Sequence, residues 1–264
     1  MSTIESKVRS EHSTGKVTLI TGASSGLGAA LAKRRAERGE NLVLMARRQE
    51  KLELLAEDIR NMGRLAFVCA VDVTERQAVL DAVKHAVDAL GPIDLLIANA
   101  GMGIPTPAHR FDASVFERVV SVNLTGAANC LEAILPEMLA RDRGHIVSIA
   151  SLAGYRGLPG SGAYCASKAG MRSLFESLRL DLSGTNVDVT TICPGFVKTP
   201  MTESQKFPMP FIMELDAAVD LIDRAIEKKR TEYAFPFPLS TMVRLARWFP
   251  NWLYDALVAR KGRA

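Results

Sequence analysis

Residues 17–28 read VTLITGASSGLG, an apolar run that passes directly into a loop of small residues. Residues 27–38 then show the apolar spacing of an amphipathic helix. A helix that begins at a glycine-rich loop offers free N–H groups and a partial positive charge to a phosphate. The stretch predicts a strand, a helix and, between them, a phosphate-binding loop of Gly22, Ser24, Ser25, Gly26, Leu27 and Gly28. A tight turn without a ligand is the alternative interpretation of the glycines alone.

Short apolar runs rich in β-branched residues alternate with helical stretches along the chain. Strands are predicted over residues 17–21, 41–46, 66–73, 93–98, 144–150, 188–193 and 233–237. Helices are predicted over residues 27–38, 50–62, 74–90, 112–141, 162–182 and 216–229, with an interruption near Asn123, a capping box at Thr74 and an N-cap at Asp216. This alternation is typical of βαβ units, so the predicted fold is an α/β, Rossmann-like, doubly wound parallel sheet flanked by helices.

The length and composition are those of a globular protein. The chain has 264 residues, of which 48% are hydrophobic and 23% are charged. These values exclude disordered, collagen-like and coiled-coil classes. We expect a single catalytic domain over residues 16–238, a flexible polar tail over residues 1–15 and an amphipathic extension over residues 239–264.

The charge of the chain and the spacing of its cysteines indicate which partners and which cellular compartment to expect. The chain has 33 Lys and Arg against 29 Asp and Glu, and its net charge of +4 is scattered, so no nucleic-acid partner is expected. The cysteines are widely spaced, which favours reduced thiols in the cytoplasm over disulfides or a metal site; they are Cys69, Cys130, Cys165 and Cys193. The N-terminus lacks an apolar signal region, and no run reaches the roughly 18 apolar residues of a spanning helix.

Two arginines follow the second predicted strand, about 20 positions after the glycine loop, where a dinucleotide-binding fold meets the adenine ribose. They are Arg47 and Arg48, and the first acidic residue, Glu50, lies in the next helix. A carboxylate bonds the 2′-hydroxyl of NAD, whereas a guanidinium binds a 2′-phosphate through parallel hydrogen bonds. The sequence therefore favours NADP(H) over NAD(H) as cofactor. A solvated helix start is the alternative role for both arginines.

Tyr164 and Lys168 lie four residues apart in a predicted helix, so phenol and ammonium share one face. A free tyrosine has a pKa of about 10, and a lysine cation together with a nicotinamide cation would lower it. Ser151 ends the fifth predicted strand, at the edge where open α/β sheets bind ligands, and its hydroxyl is suited to hold a carbonyl oxygen. Ser148 is a weaker candidate because it lies within the strand. An ordinary exposed helix face is the alternative for Tyr164 and Lys168.

Together with further motifs in the same order, these residues resemble the short-chain dehydrogenase/reductase family. The resemblance covers about residues 16–202 and includes Thr21-Gly22-x-x-x-Gly26-x-Gly28, Asp72, Asn99-Ala100-Gly101, Asn123, Ser151, Tyr164-x-x-x-Lys168 and Pro194-Gly195. It implies a sheet of seven strands and a homodimer or homotetramer. It also implies a catalytic set: Tyr164 is the acid/base, and Ser151 orients the carbonyl. Lys168 binds the nicotinamide ribose and lowers the tyrosine pKa, and Asn123 holds a water in a proton relay.

The resemblance implies cofactor contacts outside the glycine loop as well. Besides Tyr164 and Lys168, they are at Asp72, Val73, Asn99, Ala100, Gly101, Pro194, Gly195, Val197 and Thr199. The first two would meet the adenine, the next three the cofactor ribose and central strand, and the last four the nicotinamide carboxamide. A turn or capping role is the alternative for Asp72, and a structural side chain is the alternative for Asn99.

Two later segments bear on substrate and partners. Residues 196–215, rich in Met, Phe and Pro, lie where the family forms its substrate lid. Their apolar side chains favour a hydrophobic substrate, or else pack within the protein or against a partner subunit. Residues 242–258 combine aromatic and basic residues with helical spacing broken at Pro250. This segment is suited to covering the active site, to a subunit interface or to peripheral binding on a membrane surface.

The leading hypothesis is an NADP(H)-dependent oxidoreductase that transfers hydride between nicotinamide and a small-molecule carbonyl or secondary alcohol. A non-enzymatic NADP-binding regulator or scaffold on the same fold is the alternative. This alternative requires only the glycine loop and Arg47, and it gives no reason for the catalytic set. A Rossmann-fold methyltransferase shares the glycine loop and gives no reason for Tyr164 and Lys168.

Overall fold

The computed structural model describes residues 15–203 and 209–258. Apart from Gly15, the expected N-terminal tail lies outside the described residues. The same holds for residues 204–208 of the expected lid and residues 259–264 of the expected extension. The division into tail, catalytic domain and extension stays a prediction.

Seven strands form one sheet: β1 (Val17–Thr21), β2 (Asn41–Ala46), β3 (Ala66–Ala70), β4 (Leu95–Ala98), β5 (Gly144–Ile149), β6 (Val187–Pro194) and β7 (Glu232–Phe235). Their order is β3-β2-β1-β4-β5-β6-β7. Strand β1 pairs in parallel with β2 and β4, and the pairs β2–β3 and β6–β7 are also parallel. The strand order reverses between β1 and β4, which is the doubly wound, Rossmann-like topology that the sequence predicts.

The helices flank this sheet. They are α1 (Gly26–Glu37), α2 (Gln49–Asn61), α3 (Arg76–Leu90), α4 (Ala113–Val120), α5 (Gly126–Ala140), α6 (Gly162–Asp181), α7 (Pro200–Glu203), α8 (Leu215–Glu227), α9 (Leu239–Ala246) and α10 (Asn251–Val258). A π-helical segment, Ser121–Thr125, joins α4 to α5, and a short 3₁₀ helix covers Leu152–Gly154.

The described chain divides into two compact units. The first unit contains residues 15–100, 126–147 and 182–188, and thus β1 to β4 with α1, α2, α3 and α5. The second unit contains residues 101–125, 148–181, 189–203 and 209–258, and thus α4, α6 and the elements that follow residue 189.

In the first unit, every residue of β1, β2 and β4 is buried. Continuous burial of this kind is typical of parallel strands that are covered on both faces. A buried ion pair joins Arg35 of α1 to Glu40, and the Thr18 hydroxyl of β1 donates to Glu40 Oε2 at 2.6 Å. These bonds fix the C-terminal end of α1, the helix that begins at the glycine loop, against β1.

Two predicted helix caps are wrong. Helix α3 begins after Glu75, and the N–H and hydroxyl of Thr74 instead donate to Asp72 Oδ1, at 3.1 and 2.9 Å. Such local side-chain bonds compete with helix capping, and this turn also follows an earlier end of β3 than predicted. Helix α8 begins after Glu214, so Asp216 lies in its first turn rather than at its N-cap.

The interruption predicted near Asn123 is confirmed as the π-helical segment. With that segment included, residues 113–140 form one helical run that is long and apolar enough to cross a membrane by length and composition alone, and 44% of its apolar window is buried. The core helices of soluble proteins have the same character. The run therefore gives no support for a membrane span.

Candidate active site

The glycine loop connects β1 to α1 in the first unit. Gly22 and Gly26 have φ angles of +68° and +54°, a left-handed conformation that glycine adopts without strain. Ser25 occupies the N-cap position of α1, and its side chain makes no capping hydrogen bond. The N–H groups of the first helical turn therefore lack a side-chain cap and are suited to an anion.

Gly28 is packed against the loop so closely that no side chain fits there. A Cβ atom at this position would lie 2.4 Å from the Gly22 carbonyl oxygen and 2.5 Å from Asn99 Nδ2. Asn99 Nδ2 itself donates to the Thr21 carbonyl at 2.9 Å. The Thr21 hydroxyl accepts the N–H groups of Asn99 and Ala100, at 3.0 and 2.9 Å. Asn99 thus has the structural role that the sequence left open, and its contact with a cofactor stays a prediction.

Arg48 lies directly beside the glycine loop. Its Nε and Nη2 donate to the Ser24 hydroxyl at 3.1 and 2.7 Å, and Nη2 also donates to the Ser25 hydroxyl at 2.6 Å. Arg47 points elsewhere: its Nη1 lies 3.6 Å from Asp72 Oδ2, and its side chain is 71% exposed. The structure therefore separates two arginines that the sequence treats alike, and only Arg48 is bonded to the loop.

Asp72 and Val73 follow β3 in the same unit. Asp72 closes the turn with Thr74, which is the alternative role that the sequence allows for it. Val73 is buried, and its carbonyl accepts from Asn129 Nδ2 at 2.8 Å. A contact of these two residues with an adenine stays a prediction.

Asn123 lies in the π-helical segment of the second unit and is fully buried. Its Oδ1 accepts the Met102 N–H at 2.7 Å, and its Nδ2 donates to the Met102 carbonyl at 3.0 Å and to Ser167 Oγ at 2.9 Å. A π-bulge often re-aims a side chain at a functional site. Sequence reasoning did not identify Ser167, although its position three residues after Tyr164 places both on neighbouring turns of α6.

Lys168 is buried near Tyr164, the candidate acid/base. Its Nζ donates to the Ile149 carbonyl at 2.8 Å and lies 5.9 Å from the centre of the Tyr164 ring. Burial lowers the pKa of Lys168 from 10.5 to about 8. Gly101 provides the space beside it, because a Cβ atom there would lie 3.4 Å from Lys168 Nζ and 3.3 Å from Asn123 Oδ1.

In the second unit, the Ser151 side chain lies close enough to the Tyr164 phenol to lower its pKa through hydrogen bonding. Ser151 follows β5, and its Oγ also accepts the Ala153 N–H at 3.1 Å and lies within 3.5 Å of the Pro194 carbonyl. Ser148 is buried within β5 and bonds Thr191, in agreement with its weaker candidacy. The structure thus brings Asn123, Ser151, Tyr164 and Lys168 together in one compact unit.

The pKa of Tyr164 differs from the sequence expectation. Burial raises it, and the hydrogen bond from Ser151 opposes that rise. The sequence led us to expect that Lys168 lowers this pKa. In the structure, desolvation acts on both groups and disfavours the charged form of each, so the phenol and the amine are both held toward neutrality.

The residues after β6 form an ordered turn. The Gly195 N–H donates to the Phe235 carbonyl at 2.7 Å, and Val197 makes an isolated parallel bridge to Met213. The Thr199 N–H donates to Thr202 Oγ1 at 2.9 Å. Contacts of Pro194, Gly195, Val197 and Thr199 with a nicotinamide carboxamide stay predictions.

The cysteines do not contribute to this chemistry. All four are buried, as predicted for Cys69 and Cys193, and each thiol is free. Burial raises the pKa of Cys69 to about 12 and also raises that of Cys165 next to Tyr164. A buried thiol with a raised pKa is a poor nucleophile.

Comparisons with known proteins agree with this geometry. The family model described as short chain dehydrogenase matches residues 16–208. An uncharacterized oxidoreductase of Myxococcus xanthus is 44% identical over 245 residues, which are 93% of this chain and 97% of that protein.

Two solved structures share the fold. A short-chain dehydrogenase/reductase from Burkholderia phymatum in complex with NAD gives a TM-score of 0.81 at 28% identity, covering 89% of this chain and 94% of that one. An alcohol dehydrogenase from Thermococcus sibiricus complexed with 5-hydroxy-NADP gives a TM-score of 0.75 at 27% identity, covering 83% and 95%. The chain belongs to the short-chain dehydrogenase/reductase family of NAD(P)-dependent oxidoreductases.

Proposed function

We propose that the protein is an NADP(H)-dependent oxidoreductase that interconverts a carbonyl compound and its secondary or primary alcohol, with Tyr164 as the acid/base. The observation that supports this most directly is the buried Tyr164 phenol, whose pKa is influenced by Ser151, with the buried amine of Lys168 at 5.9 Å from the centre of its ring. A protein that only binds a dinucleotide does not need such a set.

The Tyr164 phenol is held in the protonated form by burial, so it is ready to donate a proton to a carbonyl oxygen. Ser151 donates a hydrogen bond to the same oxygen and fixes its position. The nicotinamide supplies or accepts the hydride at the carbon. In the reverse direction the phenolate form of Tyr164 accepts the alcohol proton and becomes a phenol, and the protonated amine of Lys168 stabilises that phenolate before the transfer.

Lys168 and Asn123 support this proton transfer. The Lys168 amine, with a pKa lowered to about 8, loses or gains a proton near neutral pH. Asn123 and Ser167 connect α6 to the π-helical segment and fix the turn that contains Tyr164. Retention of a relay water by Asn123 is part of the proposal.

The glycine loop fits a dinucleotide pyrophosphate because the backbone is exposed by small residues and α1 has no side-chain cap. Arg48 supports the proposed preference for NADP(H): its guanidinium is bonded to Ser24 and Ser25 of the glycine loop, and a guanidinium binds a 2′-phosphate through parallel hydrogen bonds. The two structural relatives contain NAD and an NADP derivative, so the preference depends on Arg48 itself.

The substrate we propose is a hydrophobic carbonyl compound or alcohol. The described part of the lid exposes apolar side chains, with Met201 at 41% and Phe211 at 51%. We further propose a cytoplasmic homodimer or homotetramer, in which the extension contacts a partner subunit or a membrane surface. Exposed Trp248 and Trp252 in the extension support such a contact.

The test is a screen of ketones, aldehydes and alcohols with NADPH or NADP⁺, followed by cofactor absorbance. We expect turnover with apolar members of the panel. Saturable NADPH binding with no turnover on any member would favour the non-enzymatic alternative.

A further inference from the structure

A cavity of about 400 Å³ lies in the second unit, between α6, β7 and the end of α9. Four arginines line it: Arg172, Arg179, Arg244 and Arg247. The acidic side chains in the lining are Glu176 and Glu232, so positive charges exceed negative charges by two. We call this space the arginine cavity.

Glu232 is already shared by two of the arginines. Arg172 Nη2 donates to Glu232 Oε2 at 2.9 Å, and Arg244 donates to Oε1. The Tyr155 hydroxyl also donates to Oε1, at 2.7 Å, and the Arg172 guanidinium lies 3.7 Å from the centre of the Tyr155 ring. One carboxylate therefore serves two guanidinium groups.

The remaining charges are not paired with each other. Within residues 15–203 and 209–258, no ion pair joins Arg179 or Arg247 to a carboxylate. The Nε–H of Arg172 is buried and has no acceptor in that part of the chain. The guanidinium groups of Arg179 and Arg247 thus have no carboxylate partner in that part of the chain, and an anionic ligand in the cavity would supply one.

We propose that the arginine cavity binds a phosphate monoester. Guanidinium groups match phosphate oxygens in geometry. A monoester has a charge of about −1.5 to −2 at neutral pH, which balances the excess of positive charge. The cavity is separate in sequence from the glycine loop and Arg48, so the site does not depend on the proposed cofactor preference.

The ligand would connect two elements that carry the arginines. Arg172 and Arg179 lie on α6, whereas Arg244 lies on α9 and Arg247 follows it. Tyr155, which also bonds Glu232, packs against the buried cluster of Ala150, Leu152 and Cys193, and Ser151 lies between the first two in sequence. An occupied cavity would therefore fix α9 beside the segment that contains the candidate catalytic serine.

The test is calorimetric titration of inorganic phosphate into the full-length protein saturated with NADP⁺, which fills the glycine loop. We expect saturable binding at one site, weakened at least tenfold in the double variant Arg179→Gln/Arg247→Gln. The matched control, Arg110→Gln/Arg118→Gln, removes the same charge outside the cavity and should bind phosphate as the wild type does. Thermal melting of both double variants checks that they fold.

A second arm identifies the source of the phosphate. Vesicles of phosphatidylcholine with and without phosphatidic acid are mixed with the same three proteins and with a fourth sample, wild type with added phosphate. Binding to phosphatidic acid that the cavity variant loses indicates a lipid headgroup, and phosphate binding without vesicle binding indicates a soluble ester. Absence of saturable phosphate and vesicle binding in the wild type, or equal binding in the two double variants, overturns the proposal.

Discussion

The Arg48 guanidinium donates to the Ser24 hydroxyl through both Nε and Nη2, at 3.1 and 2.7 Å. This contact places a cation beside the loop that enters α1, where a carboxylate would favour the opposite cofactor. The proposed preference for NADP(H) therefore depends on this one side chain.

Replacing Arg48 by Gln should weaken NADPH binding by about 10- to 100-fold, because a hydrogen bond to a charged group contributes about 1.5–3 kcal/mol. NADH binding should change little. Thermal stabilisation by each cofactor measures both effects. Arg47→Gln is the control. Arg47 forms an ion pair with Asp72 and is mostly exposed, so its loss should weaken NADPH binding much less. Equal effects of the two substitutions would contradict the assignment.

Gly28→Ala should destabilise the glycine loop. The added methyl group would lie 2.4 Å from a backbone oxygen that cannot move without displacing α1. Overpacking of this kind costs about 1–3 kcal/mol, and the loop would no longer fit a pyrophosphate. A lower melting temperature and a lost NADPH shift are expected. Gly157→Ala is the matched control, because nothing lies within 4 Å of a Cβ atom at that position.

Lys168→Met should change how stability depends on pH. Burial lowers the lysine pKa from 10.5 to about 8, so the folded protein binds fewer protons than the unfolded chain between these values. The unfavourable contribution of Lys168 is therefore complete below pH 8 and disappears as the pH rises to 10.5. Relative to the wild type, the variant should lose about 3 kcal/mol of unfolding free energy over that range.

Denaturant unfolding of both proteins at several pH values measures this difference. The Ile149 carbonyl loses its donor in the variant at every pH, so that loss does not affect the slope. A difference between the two proteins that stays constant with pH would show that Lys168 has the same pKa in the folded and unfolded states, as a solvated lysine would.

Arg156→Ala should release the C-terminal helices. Arg156 Nη1 donates to the carbonyls of Ala246 and Phe249 at 2.8 and 2.9 Å, and its guanidinium lies 4.0 Å from the centre of the Tyr254 ring. We expect faster proteolysis and faster hydrogen exchange in α9 and α10, and smaller effects of the substitution in the other elements. Arg156→Lys should restore little of this protection, because an ammonium lacks the planar, forked hydrogen-bond geometry of a guanidinium. Unchanged exchange in Arg156→Ala would show that other contacts hold these helices.

The sequence is sufficient for the sheet, the glycine loop and the catalytic helix because each depends on local spacing. Strand β1 begins and ends as predicted, and Tyr164 and Lys168 share α6. Competing local hydrogen bonds also explain why the helix cap predicted at Thr74 is wrong. The Thr74 hydroxyl can accept an N–H of the helix as a cap or donate to Asp72, and in the structure it donates to Asp72.

Contacts between distant residues were not predictable from spacing. Arg48 reaches Ser24, and Arg156 reaches Phe249, only because the fold brings separate elements together. The raised pKa of Tyr164 has the same origin, since burial depends on the packing of the whole unit. Sequence patterns predict which residues form the site, while the charge states of those residues depend on tertiary structure.

The central claim is that Tyr164 transfers the proton, and Tyr164→Phe tests it most directly because only the hydroxyl is lost. Turnover of a carbonyl substrate and the thermal shift caused by NADPH are measured on the same wild-type and variant samples. We predict that turnover falls by about 10²- to 10⁴-fold while the NADPH shift stays unchanged. Near wild-type turnover in Tyr164→Phe would contradict the account.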